Sequence, residues 1–401
     1  MGERLPKRPL RLAVVISHPI QHFVPLFVRL AQQADFELRV FYCCDWGVKE
    51  YHDPGFGASF AWDIPMLEGY EHEFLPIARR PETLTFSQVD NPDVDKRLDA
   101  WQPDAVWVHG YGHKTSWRVM RWARGRAAIL YFGDSELLSA RSLKARILKR
   151  LVLPHFFARC DGFMTIGDQN EAYYRHYGVP AEKFYRGSFP IDSTRFTQSI
   201  EALTQDDRAR LRTEFGLSPD AHVVLFVGKL IDIKRPLDLV EAIARISSEN
   251  VQACFIGSGP LESVVRERVA ALGLEQRVVF TGFVNQSRMP EVLWLGDMLA
   301  MCSEKDPHPL AVSEAMAVGN VIVASDRIGC VGPTDAARSD ENAIVYPCGD
   351  IEALTSCIEQ LVAQPKKLAQ MSQRSVELSR TQDVGMAAAA VSQFMKDVAR
   401  G

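Results

Sequence analysis

The sequence predicts an α/β protein of two doubly wound domains, each a mainly parallel sheet with helices on both faces. Short β-branched segments alternate with longer amphipathic segments along most of the chain, as in repeated βα units. A length of 401 residues allows two domains that each bury a core. The alternation forms two series separated by a polar stretch near 190–205, where we place the linker.

The first series contains an early helix at 23–33 and several buried strands. These strands are predicted at 11–17, 36–44, 105–110, 127–134 and 162–167. Residues 45–100 are rich in Gly, Pro, Asp and aromatic residues. We interpret that region as loops around a site rather than as core.

The second series repeats the pattern and ends in a helix. Its strands are predicted at 222–230, 251–259, 277–284, 298–303 and 320–326, with helices at 235–246 and 261–273. The segment 386–399 is a strong helix former. We therefore expect an N-terminal domain over 1–198, a C-terminal domain over 199–383 and a final helix within 384–401. Ligands of such folds bind in the cleft beyond the carboxyl ends of the strands.

The composition is that of an ordinary globular protein, with 47% hydrophobic and 24% charged residues. A net charge of −4 gives no excess of cations for a nucleic-acid backbone, so no nucleic-acid partner is expected. The 8 cysteines form no C-x-x-C pair and are expected to be reduced, mostly buried thiols of a cytoplasmic protein. No stretch approaches the ~20 apolar residues of a membrane-spanning helix.

The stretch FVGKLIDIKRP (226–236) places two cations beside a strand end. The predicted strand ends at Gly228, and Lys229 and Lys234 follow in the loop that leads to a helix. Two ammonium groups near a helix N-terminus favour a diphosphate. The alternative is a pair of solvated lysines on a surface loop.

The stretch CSEKDPHPLAVSEAMAVGNVIVASD (302–326) places two acids at and within a helix. Asp306 precedes the helix, where capping is an alternative role for a carboxylate. Glu314 lies in a small, apolar run, and a buried charge needs a partner. The two hydroxyls of a ribose are one partner that a carboxylate can hold.

Four segments together resemble a known family. VGKLIDIKRPLDLVEAI, FIGSGP, VVFTGFV and D-x7-EAMAVGNVIVASD occur in the order and spacing of retaining nucleotide-sugar glycosyltransferases of the GT-B fold, family four (glycosyl transferases group one). The resemblance covers nearly all of 160–365. It implies two Rossmann-like domains facing across a deep cleft, with the acceptor on the N-terminal domain and the donor on the C-terminal one. It also implies a C-terminal helix that crosses back to the first domain.

The resemblance assigns roles to the donor-site residues. Lys229 stands where the family usually has an Arg and Lys234 where it has a Lys, the pair that neutralises the donor diphosphate. Glu314 corresponds to the acid that binds the donor ribose. Asp306 corresponds to an acid that touches the donor sugar. The same motifs assign to the donor cleft Gly228, Gly257 and Gly259, and the backbone of Phe283 and Val284.

This chain departs from the family's pattern beside Asp306, which is one methylene shorter than the usual Glu. The prolines on either side of His308 replace a phenylalanine-glycine type of turn. Proline cannot donate a hydrogen bond, so contacts to phosphate or sugar are expected from Leu310, Ala311 or the His308 side chain.

The first domain has candidate acceptor-side residues. His18, Gln21 and His22 lie in SHPIQHFVP at the end of the first strand. The segment is faintly similar to the Q-G-H-x-x-P segment of inverting sugar transferases, in which the His is a base, although the Gly is absent. A polar loop histidine is the alternative.

Two further strand ends carry polar residues. His109 corresponds to the histidine that the family places beside the donor sugar, and its alternative is a histidine bonded to neighbouring backbone. Asp134 is a further acceptor-side candidate. Asp53, Trp62 and Asp63 lie in a loop whose composition suits sugar binding. The predicted catalytic set is His109, Lys234, Asp306 and Glu314.

The segment 140–157 is basic and amphipathic. It contains Arg141, Lys144, Arg146, Lys149 and Arg150 and no acid. Its apolar side is expected to consist of Leu143, Ile147, Leu148, Leu151 and Val152. Such a helix either rests on an anionic membrane surface at the inner face of the plasma membrane or packs on the sheet with a solvated basic face.

The resemblance implies transfer of a sugar from a nucleotide diphosphate sugar to a hydroxyl group, with retention at the anomeric carbon. UDP-sugars are favoured over GDP-sugars, and the acceptor is a sugar, a lipid-linked glycan or a small molecule in glycan, glycolipid or polysaccharide biosynthesis. No cofactor or metal is expected, because lysines and helix N-termini can stabilise the leaving diphosphate.

Three alternatives stay open. The first is an inverting transferase or nucleotide-sugar epimerase that uses His22 as its base. The second is a dinucleotide-dependent oxidoreductase, although no G-x-G-x-x-G turn follows the first strand. The third is a non-catalytic protein that binds sugars or nucleotides.

Overall fold

A computed structural model describes residues 8–53, 55–77, 79, 81–138 and 142–400. Within these ranges the chain forms two parallel β-sheets, each flanked by helices, that face each other. A long C-terminal helix follows them. The predicted fold class is confirmed.

The N-terminal domain contains a seven-stranded sheet and, separate from it, a two-stranded antiparallel hairpin. The strands are β1 (Leu10–Ile16), β2 (Phe36–Tyr42), the hairpin β3 (Tyr51–Asp53) and β4 (Ala58–Phe60), β5 (Glu71–Phe74), β6 (Ala105–His109), β7 (Ala128–Phe132), β8 (Gly162–Thr165) and β9 (Phe184–Arg186). The helices are α1 (Val24–Ala31), α2 (Val94–Trp101), α3 (Lys114–Ala123), α4 (Leu143–Phe157) and α5 (Asp168–His176). The sheet order is β5-β2-β1-β6-β7-β8-β9, all parallel.

The C-terminal domain repeats this architecture. Its strands are β10 (His222–Val227), β11 (Val251–Ile256), β12 (Val278–Gly282), β13 (Met298–Met301), β14 (Val321–Ser325) and β15 (Ala343–Tyr346). Its helices are α6 (Ser193–Glu201), α7 (Gln205–Glu214), α8 (Pro236–Arg245), α9 (Glu262–Ala271), α10 (Met289–Leu293), α11 (Leu310–Ala317), α12 (Ile351–Ala363) and α13 (Pro365–Thr381). The order β12-β11-β10-β13-β14-β15 is again parallel, and apolar strands such as β10 and β14 are buried on both faces.

Two regions differ from the sequence-based expectation. Residues 45–100 are not loops alone, because β5 extends the sheet edge and α2 buries Val94 and Leu98 in the core. Their weak periodicity concealed both elements. The division expected after residue 198 falls inside α6, whose Phe196 lies in the core of the second domain together with Ile191.

The final helix, α14 (Val384–Arg400), crosses back to the first domain, as predicted. Its Val391 and Phe394 are buried in the core that also contains α1. Gly162 permits this approach, because a Cβ atom there would lie 2.7 Å from the Phe394 ring. The Tyr185 hydroxyl also donates to Asp397 at 3.0 Å.

A polar contact joins the domains on the side of α5. The Asp168 backbone N–H donates to the Asp335 carboxylate at 2.9 Å, and the Thr334 backbone N–H donates to Asp168 at 2.9 Å. The guanidinium of Arg186 lies 3.6 Å from the Asp335 carboxylate. Burial raises the pKa of Asp335 to about 7, with the nearby Asp168 charge acting in the same direction.

Helix α4 does not pack as an ordinary amphipathic helix with a solvated basic face. It rests on the domain through Leu153, Phe156 and Phe157, which are buried. The apolar side chains of its first turns are instead exposed: Leu143 (68%), Ile147 (53%), Leu148 (62%) and Leu151 (65%). Of the two alternatives for this segment, the one in which these residues pack on the sheet is wrong, because Leu153, Phe156 and Phe157 make that contact instead. Arg141, part of the predicted basic segment, lies outside the described residues.

Both sheets have the topological switch point at which doubly wound folds bind ligands. Strand order reverses between β1 and β6 in the first sheet and between β10 and β13 in the second. His109 ends β6, and Gly228 directly follows β10. The predicted site residues therefore lie at the positions where the fold opens a crevice.

Candidate functional site

The loop after β10 places both predicted lysines at the cleft. Gly228 has φ +134°, a conformation that favours glycine, and it turns the chain after the strand. Lys229 pairs with Asp53 of the N-terminal domain, with its Nζ 2.9 and 3.0 Å from the two carboxylate oxygens. Lys234 ends the short 3-10 turn Asp232–Lys234 and pairs with Asp306. Each lysine is thus held by a carboxylate from another segment.

Gly257 and Gly259 allow neighbouring loops to approach this turn closely. A Cβ atom on Gly257 would lie 2.1 Å from the Gly228 carbonyl oxygen. A Cβ atom on Gly259 would lie 2.6 Å from the Leu230 carbonyl oxygen. The structure therefore gives both glycines a packing role in shaping the edge of the cleft, and their contact with a donor stays a prediction.

Asp306 is a buried carboxylate whose partner is a cation. Burial raises its pKa, while the Lys234 charge and hydrogen bond act in the opposite direction. Its carbonyl accepts from the Gly329 backbone N–H at 2.9 Å, which fixes the loop before α11. Leu310 and Ala311 form the first turn of α11, where backbone N–H groups have no partner within the helix. These amides can meet an anion.

Glu314 is buried in α11 and takes part in a short chain of polar groups. Gln286 donates to its carboxylate at 3.3 Å. Arg195 in turn donates to the Gln286 side chain and carbonyl at 2.9 and 2.8 Å. Burial raises the pKa of Glu314 to about 7, although the Gln286 hydrogen bond and the Arg195 charge act in the opposite direction. A small cavity beside this group is lined on the N-terminal side by Gln21 and His22.

Histidines from both domains form an aromatic layer across the cleft. Phe189 stacks between His22 and His308, with ring centroids 4.6 Å apart on each side. Burial lowers the pKa of His22 to about 3, with further lowering by His308, and burial likewise lowers the pKa of His308 to about 3. Both ring nitrogens of His22 lack a hydrogen-bond partner among the described residues. These rings are neutral and packed.

His109 lies beside this layer, at the end of β6. Its ring is 4.7 Å from that of Phe23, and its Nε2 has no hydrogen-bond partner among the described residues. Burial lowers the pKa of His109 to about 3, with a smaller effect from His22. A neutral imidazole with a free nitrogen can exchange a hydrogen bond with a bound hydroxyl.

The remaining acceptor-side candidates, His18 and Asp134, follow the ends of β1 and β7 in the N-terminal sheet. His18 Nδ1 lies 2.8 Å from the Ser17 hydroxyl, and burial lowers the pKa of His18 to about 4. Asp134 is exposed to solvent, although many protein atoms lie near its carboxyl group. Desolvation by those atoms raises its pKa, with a smaller effect from the Asp306 charge.

The model of the family described as glycosyl transferases group 1 matches residues 207–377. These residues belong to that family. They include both lysines, Asp306 and Glu314, so the group 1 domain contains the predicted donor site. The N-terminal domain lies outside the matched residues, so this match gives no role to it.

Curated relatives are similar over part of the chain. An α-D-kanosaminyltransferase of Streptomyces kanamyceticus is 26% identical over 202 residues, 50% of each chain. An N-acetyl-α-D-glucosaminyl L-malate synthase of Bacillus anthracis is 27% identical over 172 residues, 43% of this chain and 44% of that one. The chain thus matches about half the length of these relatives.

Solved structures are similar over both domains. The Anabaena protein HepE, crystallised with UDP, has a TM-score of 0.73 at 17% identity, covering 97% of this chain and 100% of that one. A sucrose-phosphate synthase of Thermosynechococcus elongatus has a TM-score of 0.71 at 20% identity, covering 97% and 99%. The fold of the group 1 domain and its N-terminal partner is GT-B.

The sequence analysis did not identify several residues that the structure places in the cleft. Gln286 follows the predicted base-binding residues by two positions, so its place at a strand end was a usable signal. Arg195 stands in an unremarkable polar helix, 91 residues from the glutamine that it holds. The sequence points to Asp53 only because the composition of its loop suits sugar binding. The structure shows that Asp53 pairs with Lys229.

The described residues contain neither a cluster suited to a metal ion nor a helix suited to crossing a membrane. Within them, no group of three or more His, Cys, Asp or Glu side chains is placed to hold a metal ion. The expectation of a metal-independent site stays a prediction. Among the same residues, no helix combines the length and the apolar character needed to cross a bilayer.

Proposed function

We propose that this chain transfers a sugar from a nucleotide diphosphate sugar to an acceptor hydroxyl with retention of anomeric configuration. The observation that carries the proposal is that the loop after β10 carries Lys229 and Lys234 beside the end of a strand of the C-terminal sheet, while helix α11 of the same domain holds Glu314 as a buried carboxylate. Two cations suit a diphosphate, and a carboxylate suits the ribose diol. A UDP-sugar is the favoured donor because the similar Anabaena structures were crystallised with UDP and UDP-glucose, and a GDP-sugar is the competing donor.

In the proposed reaction, the bond between the anomeric carbon and the diphosphate oxygen breaks, and its electron pair leaves with the nucleoside diphosphate. Lys229, Lys234 and the first amides of α11 stabilise that developing charge. The acceptor oxygen bonds to the same face of the sugar, and its proton passes to a leaving phosphate oxygen. No metal and no protein nucleophile are needed, so the carboxylates are not a glycosidase pair.

The geometry disfavours the alternative in which His22 is a base. Its ring is stacked on Phe189, and a pKa of about 3 makes it a weak proton acceptor near neutral pH. Inversion of configuration in the product would contradict the retaining proposal while leaving the fold intact. A non-catalytic binding protein would bind a nucleotide sugar without releasing the free diphosphate.

The test begins with calorimetric binding of UDP, GDP and ADP and of their sugars, followed by an assay for the freed diphosphate and NMR of the product's anomeric proton. Lys234→Ala and Glu314→Ala should lose transfer, whereas Glu241→Gln should retain it, because Glu241 forms a surface pair with Arg268 away from the cleft. Unchanged transfer by both site variants would contradict the site assignment.

The exposed face of α4 extends the proposal to a membrane surface near a lipid-linked acceptor. Its four exposed apolar side chains lie beside exposed Lys144, Arg146 and Arg150, and no acid occurs in the helix. Apolar insertion combined with cations is the pattern of a helix that lies on an anionic bilayer. We propose that this face brings the bilayer near an acceptor held beside Asp134, which precedes α4 in the chain.

Vesicle co-sedimentation tests this attachment. Vesicles that contain phosphatidylglycerol should bind the protein, vesicles of phosphatidylcholine alone should bind it much less, and added salt should weaken binding. Leu148→Glu should abolish binding. Val264→Glu is the matched control because Val264 is an exposed apolar residue on α9 of the other domain. Equal binding by both variants would contradict the membrane-facing role of α4.

A further inference from the structure

The β3–β4 hairpin and the three residues that follow it reach across the cleft to the donor domain. We name residues 51–53 and 55–63 the bridging segment. Its contacts reach the loops after β10, β11 and β12 of the C-terminal domain, the first of them through Lys229, so they do not depend on one side chain. The hydrogen bonds are Ser258 Oγ to the Phe56 carbonyl (2.8 Å), Asn285 Nδ2 to the Ala61 carbonyl (2.8 Å) and the Ser287 N–H to the Asp63 carboxylate (3.0 Å).

The bridging segment delivers a carboxylate to a lysine assigned to the donor diphosphate. Both oxygens of Asp53 accept from Lys229, and the same carboxylate accepts the N–H groups of Gly55 (2.8 Å) and Phe56 (3.1 Å). Gly55 leaves room for this pair, because a Cβ atom there would lie 2.6 Å from Lys229 Cδ. The carboxylate is therefore held in place by its own loop and presented to the ammonium group.

Aromatic rings of the bridging segment cover the position assigned to the donor base. Phe60 stacks on Phe283 with ring centroids 4.4 Å apart, and Phe56 meets the same ring edge-on at 5.2 Å. The Lys229 Nζ also lies 4.9 Å from the centre of the Phe56 ring. One element thus touches both the diphosphate lysine and the residue predicted to flank the base.

We infer that the bridging segment is a lid on the donor site and that Asp53 occupies Lys229 until a nucleoside diphosphate displaces it. The inference rests on the proposed function, because it takes Lys229 as a ligand of the diphosphate. One ammonium group cannot pair fully with a carboxylate and a diphosphate at once, so the two anions compete for Lys229. Donor binding therefore breaks the Asp53–Lys229 pair and releases the loop that carries Phe56.

The lid makes donor affinity lower than the two lysines alone would allow, and it couples occupancy of the site to the position of an N-terminal-domain element. An anion that enters must replace the carboxylate, so free nucleotide binding is opposed by Asp53. Removal of that charge should therefore strengthen binding, which is the reverse of the effect expected for a residue that holds the ligand.

The experiment is a double-mutant cycle measured by calorimetry with UDP on the full chain. Asp53→Asn keeps an oxygen for the two backbone N–H groups but loses the charge, and it should bind UDP about fivefold more tightly than the wild type. Lys229→Ala should bind UDP more weakly. In the Lys229→Ala background, Asp53→Asn should give no gain, because the pair no longer exists. Glu241→Gln, which removes one surface carboxylate from a cation pair, should match the wild type.

Each failure has its own signature. If the wild type binds UDP and Asp53→Asn binds it no more tightly, the lid is overturned and the proposed function stands. A gain that persists in the Lys229→Ala background also overturns the lid, because the effect would not pass through that pair. If no protein of the cycle binds UDP, GDP or ADP, the proposed function fails and the lid fails with it.

Discussion

Replacing Glu314 by Gln removes a buried negative charge while keeping the shape of the side chain. The pKa of Glu314 is raised from 4.5 to about 7 by burial, and the group is almost wholly enclosed. A carboxyl group whose pKa is higher in the folded chain than in the unfolded chain destabilises the fold. It lowers the free energy of unfolding as the pH rises from the unfolded pKa to the folded pKa. At about 1.36 kcal/mol per pH unit, the ionised form costs about 3 kcal/mol at pH 8.

The neutral glutamine avoids this cost. We expect Glu314→Gln to raise the free energy of unfolding by up to about 3 kcal/mol at pH 8 and to have little effect near pH 4.5. Urea unfolding at several pH values measures the difference. Glu241→Gln is the control, since it removes a carboxylate from a surface pair and should change stability by at most about 1 kcal/mol at any of these pH values. A Glu314→Gln variant no more stable than the wild type at pH 8 would refute the reasoning.

The same substitution should weaken binding of the donor. A charge-assisted hydrogen bond from the ribose contributes about 1.5–3 kcal/mol, so the Kd for a UDP-sugar should rise by about 10- to 100-fold at pH 8. In the wild type, donor affinity should fall as pH falls through about 7, because Glu314 becomes protonated. Calorimetric titrations at pH 6 and pH 8 measure both effects. A carboxylate that lowers stability but raises affinity is the expected signature of a functional group.

Other substitutions test separate parts of the structure. Lys234→Ala should lower transfer by about 100-fold while Lys234→Arg retains much of it, as measured by freed diphosphate, and equal loss in both would show that charge is not the requirement. Arg186→Ala removes a cation that lies 2.9 Å from Glu171, 3.3 Å from Asp168 and 3.6 Å from the Asp335 carboxylate, and burial raises the pKa of Asp335 to about 7. Because that carboxyl titrates near pH 7, the variant should lose about 2 kcal/mol of unfolding free energy above pH 7 and less at pH 6, and a pH-independent loss in urea unfolding would contradict this account. Gly257→Ala places a methyl group against the Gly228 carbonyl and should lower the melting temperature measured by circular dichroism, whereas an unchanged value would mean that the loop relaxes without cost.

The fold class followed from the sequence because buried parallel strands are recognisable locally. Strands such as β10 and β14 are unbroken apolar runs, and each is followed or preceded by an amphipathic helix. The lysines and acids proposed for the donor site were also singled out from the sequence, since Lys229 and Lys234 follow a strand, Asp306 precedes a helix, and Glu314 is a charge in an apolar helical run. The β5 edge strand and helix α2 were missed because the first is short and charged and the second has few apolar positions.

The orientation of α4 was beyond sequence analysis, because both of its sides carry apolar residues. Leu148 and Leu151 lie on one side, and Phe156 and Phe157 on the other, so periodicity alone does not say which side the sheet covers. The structure shows the aromatic side buried and the leucines exposed. The outcome depends on the space left by the surrounding core, which includes Tyr131 and Tyr174.

The sequence by itself determined that this chain has two α/β domains, that Lys234 lies in the loop between a strand and a helix, and that Glu314 lies within a helix. These features depend on neighbouring residues, whose spacing sets both secondary structure and the direction of the chain. Only the tertiary structure decided that Asp53 meets Lys229 across 176 residues of sequence and that Arg195 supports Glu314 through Gln286. The first pairing joins the two domains and the second joins three separate segments of the C-terminal domain, and no local pattern encodes the distance between such segments.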